Sequence, residues 1–102
     1  MRLNLMITTI LEEKERVDRM LEKYQDELEK LPKGTLSEKK VRRSTYFYLK
    51  YRDGKKVISR YIPQKDVEAV REQMEKRRHI ETMIRSLQEE RVIAERALEG
   101  HI

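Results

Sequence analysis

The chain has no cysteine and no tryptophan, and only two histidines, three glycines and two prolines among its 102 residues. Without cysteine a disulfide framework and the commonest structural zinc sites are excluded, which suits an intracellular protein. His79 and His101 lie far apart, with no acid spaced beside them as metal ligands usually are, so neither a metal nor any other cofactor is expected. Three glycines leave no Gly-rich phosphate loop. No apolar run approaches the roughly 18 to 20 residues that a membrane span needs, so a soluble, cytoplasmic protein without a membrane partner is expected. Residues 1–11, MRLNLMITTIL, run into Glu12-Glu13-Lys14-Glu15 and not into a small-residue cleavage site, and read as the first turns of a helix.

Charge is abundant but unevenly placed. Of all residues 42% are charged and 37% hydrophobic, enough for a thin core and long, one-sided elements within one domain. Residues 39–60 hold nine of the 24 Lys and Arg residues against a single acid, Asp53, together with the only Phe and three of the five Tyr. The whole chain is net +5, so everything outside this block is net acidic.

Two helical patterns flank the block. Ile7, Lys14, Leu21 and Leu28 at heptad position a place Leu3, Ile10, Val17, Tyr24 and Leu31 at position d, which predicts a helix over about residues 3–31. Pro32 and Gly34 stop it. A second helix over about residues 63–98 begins at Pro63, with the seam Val67, Val70, Met74, Arg77, Ile80, Ile84, Leu87, Arg91, Ala94 and Leu98. Two consecutive three-residue steps around Arg77 break the heptad and predict a change of buried face there. Met6, Leu11, Met20 and Met83 widen the apolar surface beyond what one partner helix covers, so a homodimer through Ile7, Ile10, Val17, Leu21, Tyr24, Leu28, Ile80, Ile84, Leu87 and Leu98 is expected.

Between the helices, strict alternation around Asp53-Gly54 predicts a hairpin of Thr45–Arg52 with Lys55–Ile62. An edge strand over about Leu36–Arg42, joined through Arg43-Ser44, completes a meander over about residues 35–62. The fold class is therefore α+β: long helix, three-stranded antiparallel β-meander, long coiled-coil-like helix. With a two-residue turn at Asp53-Gly54, Tyr48 faces Ser59 and Tyr46 faces Tyr61. One face then carries Phe47, Leu49, Tyr51, Ile58 and Ile62, and the other Tyr46, Tyr48, Lys50, Arg52, Val57, Ser59 and Tyr61. A three-residue turn moves Val57, Ser59 and Tyr61 to the first face and leaves Tyr46, Tyr48 and Lys50 together.

Helix carboxylates alternate with Lys and Arg at ion-pair spacings and read as solvated faces, so no catalytic residue is assigned and a non-enzymatic binding protein is expected. Its candidate site is Lys39, Lys40, Arg42, Arg43, Tyr46, Tyr48, Lys50, Arg52, Lys55, Lys56 and Arg60. Basic side chains neutralise phosphates and Tyr rings offer stacking planes, which points to nucleic acid, DNA or RNA. An acidic or nucleic-acid-binding protein surface is the other partner such a patch serves. The plain structural reading is that Tyr, Phe, Val and Ile are what strands are made of, with Lys and Arg keeping the sheet soluble.

The runs Gly34-Thr35-Leu36-Ser37-Glu38-Lys39-Lys40-Val41, Thr45–Arg52, Gly54-Lys55-Lys56 and Ser59-Arg60-Tyr61-Ile62-Pro63 resemble a family of short bacterial and archaeal proteins of unknown function, over roughly residues 34–90. Many of its members carry a cysteine cluster between the first two strands, where this chain has Arg42-Arg43-Ser44. The resemblance implies the same element order and a mobile-element or phage setting, and supplies no catalytic residue. In shape, a three-stranded sheet followed by a helix is similar to the arm-binding domains of phage-type integrases. A phage or plasmid inhibitor of a nucleic-acid enzyme, such as an anti-CRISPR, is the alternative function.

Overall fold

A computed structural model describes residues 4–100; Leu3 and His101 lie outside the described residues. Five main elements follow in order: α1 (Leu5–Glu29), β1 (Thr35–Val41), β2 (Ser44–Asp53), β3 (Lys56–Ile62) and α2 (Val67–Glu99). The α+β order expected from the sequence is the observed one. The described residues divide into two compact units, one of α1 with α2 from His79 onward, the other of residues Leu31–Arg78.

In the helical unit, Asn4 starts α1 by accepting from the Met6 and Ile7 backbone amides at 3.1 and 3.3 Å, which satisfies donors that no helical carbonyl reaches. The heptad seam is the buried one. Val17 and Leu21 of α1 and Ile80, Ile84 and Leu87 of α2 are buried, while Ile7, Ile10, Tyr24, Leu28 and Leu98 are half-buried. The polar seam residues make ion pairs: Lys14 with Asp18 at 3.2 Å, and Arg91 with both Asp18 at 3.3 Å and Glu95 at 3.1 Å. Arg16 lies 3.7 Å from Glu90, and its guanidinium is held above its ordinary pKa chiefly by the hydrogen bond to Glu13. Exposed pairs of this kind are screened by solvent and add little, so burial of the aliphatic seam holds the helices together.

The sheet unit is a meander in the order β1-β2-β3, both pairings antiparallel. The first stretch of α2 covers one of its faces, where Leu49, Ile62, Val67 and Met74 form the buried core with Leu36, Phe47, Tyr51 and Val70 packed around it. Arg77 donates to the Leu31 carbonyl at 3.0 Å, just beyond the end of α1. The heptad break around Arg77 falls where the two units divide, between Arg78 and His79. The residues α2 buries before it, Val67 and Met74, belong to the sheet core, and those after it, Ile80, Ile84 and Leu87, to the helical unit.

Three boundaries differ from the sequence reading. The β2–β3 turn is Gly54-Lys55, with Asp53 paired to Lys56, and not Asp53-Gly54. Gly54 has φ +62 and Lys55 a negative φ, the signs of a type II′ turn, in which glycine takes the first central position. Register therefore moves by two residues, so that Tyr48 faces Tyr61, yet every side chain keeps its predicted face because the strand period is two. The β1–β2 turn is Arg42-Arg43, one residue earlier than Arg43-Ser44. Finally, α2 starts at Val67: Pro63 is extended, with ψ 145, and a 3-10 turn over Gln64–Asp66 precedes the helix.

Arg42 sits at φ 57, the left-handed region where a Cβ costs about 1–2 kcal/mol. Arg42→Gly removes that strain at the cost of a more flexible unfolded chain, so a net gain of about 0.5–1 kcal/mol is expected in urea denaturation. A loss of stability would show that the Arg42 side chain makes a compensating contact.

Candidate functional site

Strand register sorts the basic block into two faces. Leu36, Glu38 and Lys40 on β1 pair with Leu49, Phe47 and Thr45 on β2, and therefore share the face that α2 covers. Opposite them lie Thr35, Ser37, Lys39 and Val41, then Ser44, Tyr46, Tyr48, Lys50 and Arg52, then Val57, Ser59 and Tyr61. Tyr48 stands in the middle of this outer face, directly between Ser37 and Tyr61. Its ring meets that of Tyr61 edge to face, with centroids 5.8 Å apart and planes at 65°. Lys39 is beside Tyr46, Lys50 lies between Thr35 and Ser59, and Arg52 is beside Val57.

Of the predicted site, Lys39, Tyr46, Tyr48, Lys50 and Arg52 come together on this face. Arg42 and Arg43 form the β1–β2 turn at one end, and Lys55 the β2–β3 turn at the other. Lys40, Lys56 and Arg60 fall on the opposite parity, although all three are solvent-exposed. Sequence proximity grouped them with residues from which alternation separates them.

Tyr61 lies on the same face and is missing from the predicted list. It lies one residue past the charge block in sequence but opposite Tyr48 in space, and alternation alone carries the signal. Tyr61 is 51% exposed and Tyr46 38%. These are large amphipathic rings left in contact with water on a face that none of the core residues covers.

Electrostatically the face is one-signed. The sheet contains two acids, Glu38 and Asp53, and both fall on the parity of Leu49 and Phe47. By contrast, the recess between β1 and α2 is lined by Glu38, Phe47, Arg71, Glu75 and Arg78, with the Arg71 guanidinium 5.9 Å from the centre of the Phe47 ring. Its mixed charge gives no preference for an anion. Among the described residues no three His, Cys, Asp or Glu side chains gather as metal ligands would, and no helix is long and apolar enough to cross a membrane.

A family model described as Domain of unknown function (DUF6788) matches residues 10–72. The match takes in most of α1, the whole sheet and the first turns of α2, and so begins well before the stretch 34–90 on which the sequence reading places its resemblance. No curated protein and no solved structure matches the chain.

Proposed function

We propose, for a chain that belongs to the DUF6788 family and hence to a domain of unknown function, that the outer face of the sheet binds nucleic acid and that the protein is not an enzyme. The observation that carries this reading is the segregation of charge: Lys39, Lys50 and Arg52 share a face with three tyrosines and no acid, although acids make up 19 of the 102 residues. A sheet kept soluble by surface charge has no need to place both of its acids on the other side. Arg42 supports the same reading. Turn chemistry favours Gly, Asn or Asp at a positive φ, and an arginine kept there at a conformational cost points to work done by its charge.

Binding to DNA and RNA, single- and double-stranded, measured across a salt series tests the proposal. Phosphate contact releases counterions, so affinity must fall steeply as salt rises. Absent or salt-independent binding would end the nucleic-acid reading. Retention of a host protein from nuclease-treated lysate, alongside absent nucleic-acid binding, would then favour the inhibitor of a nucleic-acid enzyme that the mobile-element setting suggests.

A further inference from the structure

We infer that the nucleic acid taken by this face is a single strand, held by stacking of its bases on Tyr46, Tyr48 and Tyr61 without regard to sequence; the inference rests on the nucleic-acid reading above. Spacing decides between strand and duplex. Tyr46 and Tyr48 are two residues apart on one strand, about 6.6–6.8 Å, which is twice the roughly 3.4 Å between successive nucleotides of a duplex strand. Bases that remain stacked on each other cannot be received one to a ring at that interval. Bases that have parted can.

The third ring reinforces this geometry. Tyr61 meets Tyr48 at 65°, so the two offer differently inclined planes, which suits splayed bases and not a parallel column. On its other side the cross-strand neighbour of Tyr48 is the small Ser37, and Tyr48 itself is half-buried where Tyr46 and Tyr61 are exposed. Lys39 lies in the row of Tyr46, and Lys50 one row beyond Tyr48. The cations thus bracket the rings over about 13 Å along β2, enough for two or three extended nucleotides.

The residues missing from the face agree. In the major groove Arg or Lys reads guanine and the bidentate readout of adenine relies on Asn or Gln. No Asn or Gln lies on this face, and Arg52, its one guanidinium, stands at the end away from Tyr46. Stacking is indifferent to sequence because every base has a π face.

The test uses the full chain and oligonucleotides of about 12 nucleotides, within the range of small single-strand binding sites. The same mixed sequence is presented single-stranded and as a hairpin duplex at one salt concentration, with fluorescence anisotropy as the readout. The single strand is expected to bind about 10-fold more tightly or better. A triple Tyr46→Leu, Tyr48→Leu, Tyr61→Leu variant is expected to lose about 100-fold for the single strand, whereas the triple Phe variant, which keeps the rings, stays within about 3-fold of the parent. Should the triple Leu variant not fold, as judged by circular dichroism, Tyr61→Leu alone, at an exposed edge position, should still lose about 5-fold or more. Duplex binding as tight as single-strand binding, with its salt dependence intact, overturns the single-strand inference and leaves the nucleic-acid reading standing. Parent-like single-strand affinity in the folded Leu variants overturns it equally. Binding to neither form overturns both.

Discussion

Gly34→Ala is expected to destabilise the sheet unit by about 3–5 kcal/mol, the largest loss among the three Gly→Ala changes. Two costs combine. Gly34 has φ +118, a conformation that L residues rarely adopt, and a Cβ built there would run into the Lys50 carbonyl oxygen and come within 2.9 Å of the Tyr51 Cβ. Lys50 and Tyr51 belong to the central strand, bonded on both sides to β1 and β3, so neither can retreat without opening a ladder. Gly54→Ala is the control. Gly54 has φ +62 but nothing within 4 Å of an added Cβ, so it should cost only about 1–2 kcal/mol, the conformational part alone. A domain of this size has about 5–15 kcal/mol to lose, so Gly34→Ala should separate clearly from the control in urea denaturation. With no tryptophan and four of the five tyrosines on the sheet, near-ultraviolet circular dichroism reports on that unit almost alone. A Gly34→Ala variant within about 1 kcal/mol of Gly54→Ala would sink the steric account.

The close approach of Gly34 to β2 has no sequence signal of its own beyond a glycine after a proline, whereas the two faces of β2 were legible in full. A half-buried strand must alternate, and Phe47, Leu49 and Tyr51 against Tyr46, Tyr48, Lys50 and Arg52 do so without a break. The exact turn was not legible, because Asp53-Gly54 and Gly54-Lys55 both offer a glycine where a hairpin needs positive φ. That ambiguity did no harm to the faces: a slip of two residues changes the cross-strand partner and preserves parity. It did change the site, since it is the observed register that sets Tyr61 against Tyr48. The start of α2 was misplaced for a related reason. Proline fixes φ near −65°, which suits a helix and an extended chain alike, and the ψ of 145 that makes Pro63 extended is not written in its side chain. In α2 the heptad break at Arg77 was legible because a helix that changes partners must change its buried stripe.

Replacing Lys39, Lys50 and Arg52 together by Gln is expected to weaken nucleic-acid binding by about 100-fold at 0.1 M salt, and hardly at all near 1 M. The size follows from counterion release. Each phosphate contact on a single strand contributes about 0.7 to the slope of log affinity against log salt, so losing three lowers the slope by about 2, which is about two decades at 0.1 M and nothing at 1 M. Loss of three charges from anywhere on a basic protein would also weaken attraction, so the change in net charge has to be matched. Lys40, Lys56 and Arg60 supply the match: they come from the same block, are exposed, carry the same total charge, and lie on the other parity of the same strands. Replacing those three by Gln changes the net charge identically but removes no contact from the outer face, so the slope should stay within about 0.5 of the parent. If the two triple variants lose affinity and slope alike, the protein attracts nucleic acid through its overall charge and the outer face is not the interface. If only the first does, the phosphate contacts lie where alternation put Lys39, Lys50 and Arg52, beside the three tyrosines and away from both acids of the sheet.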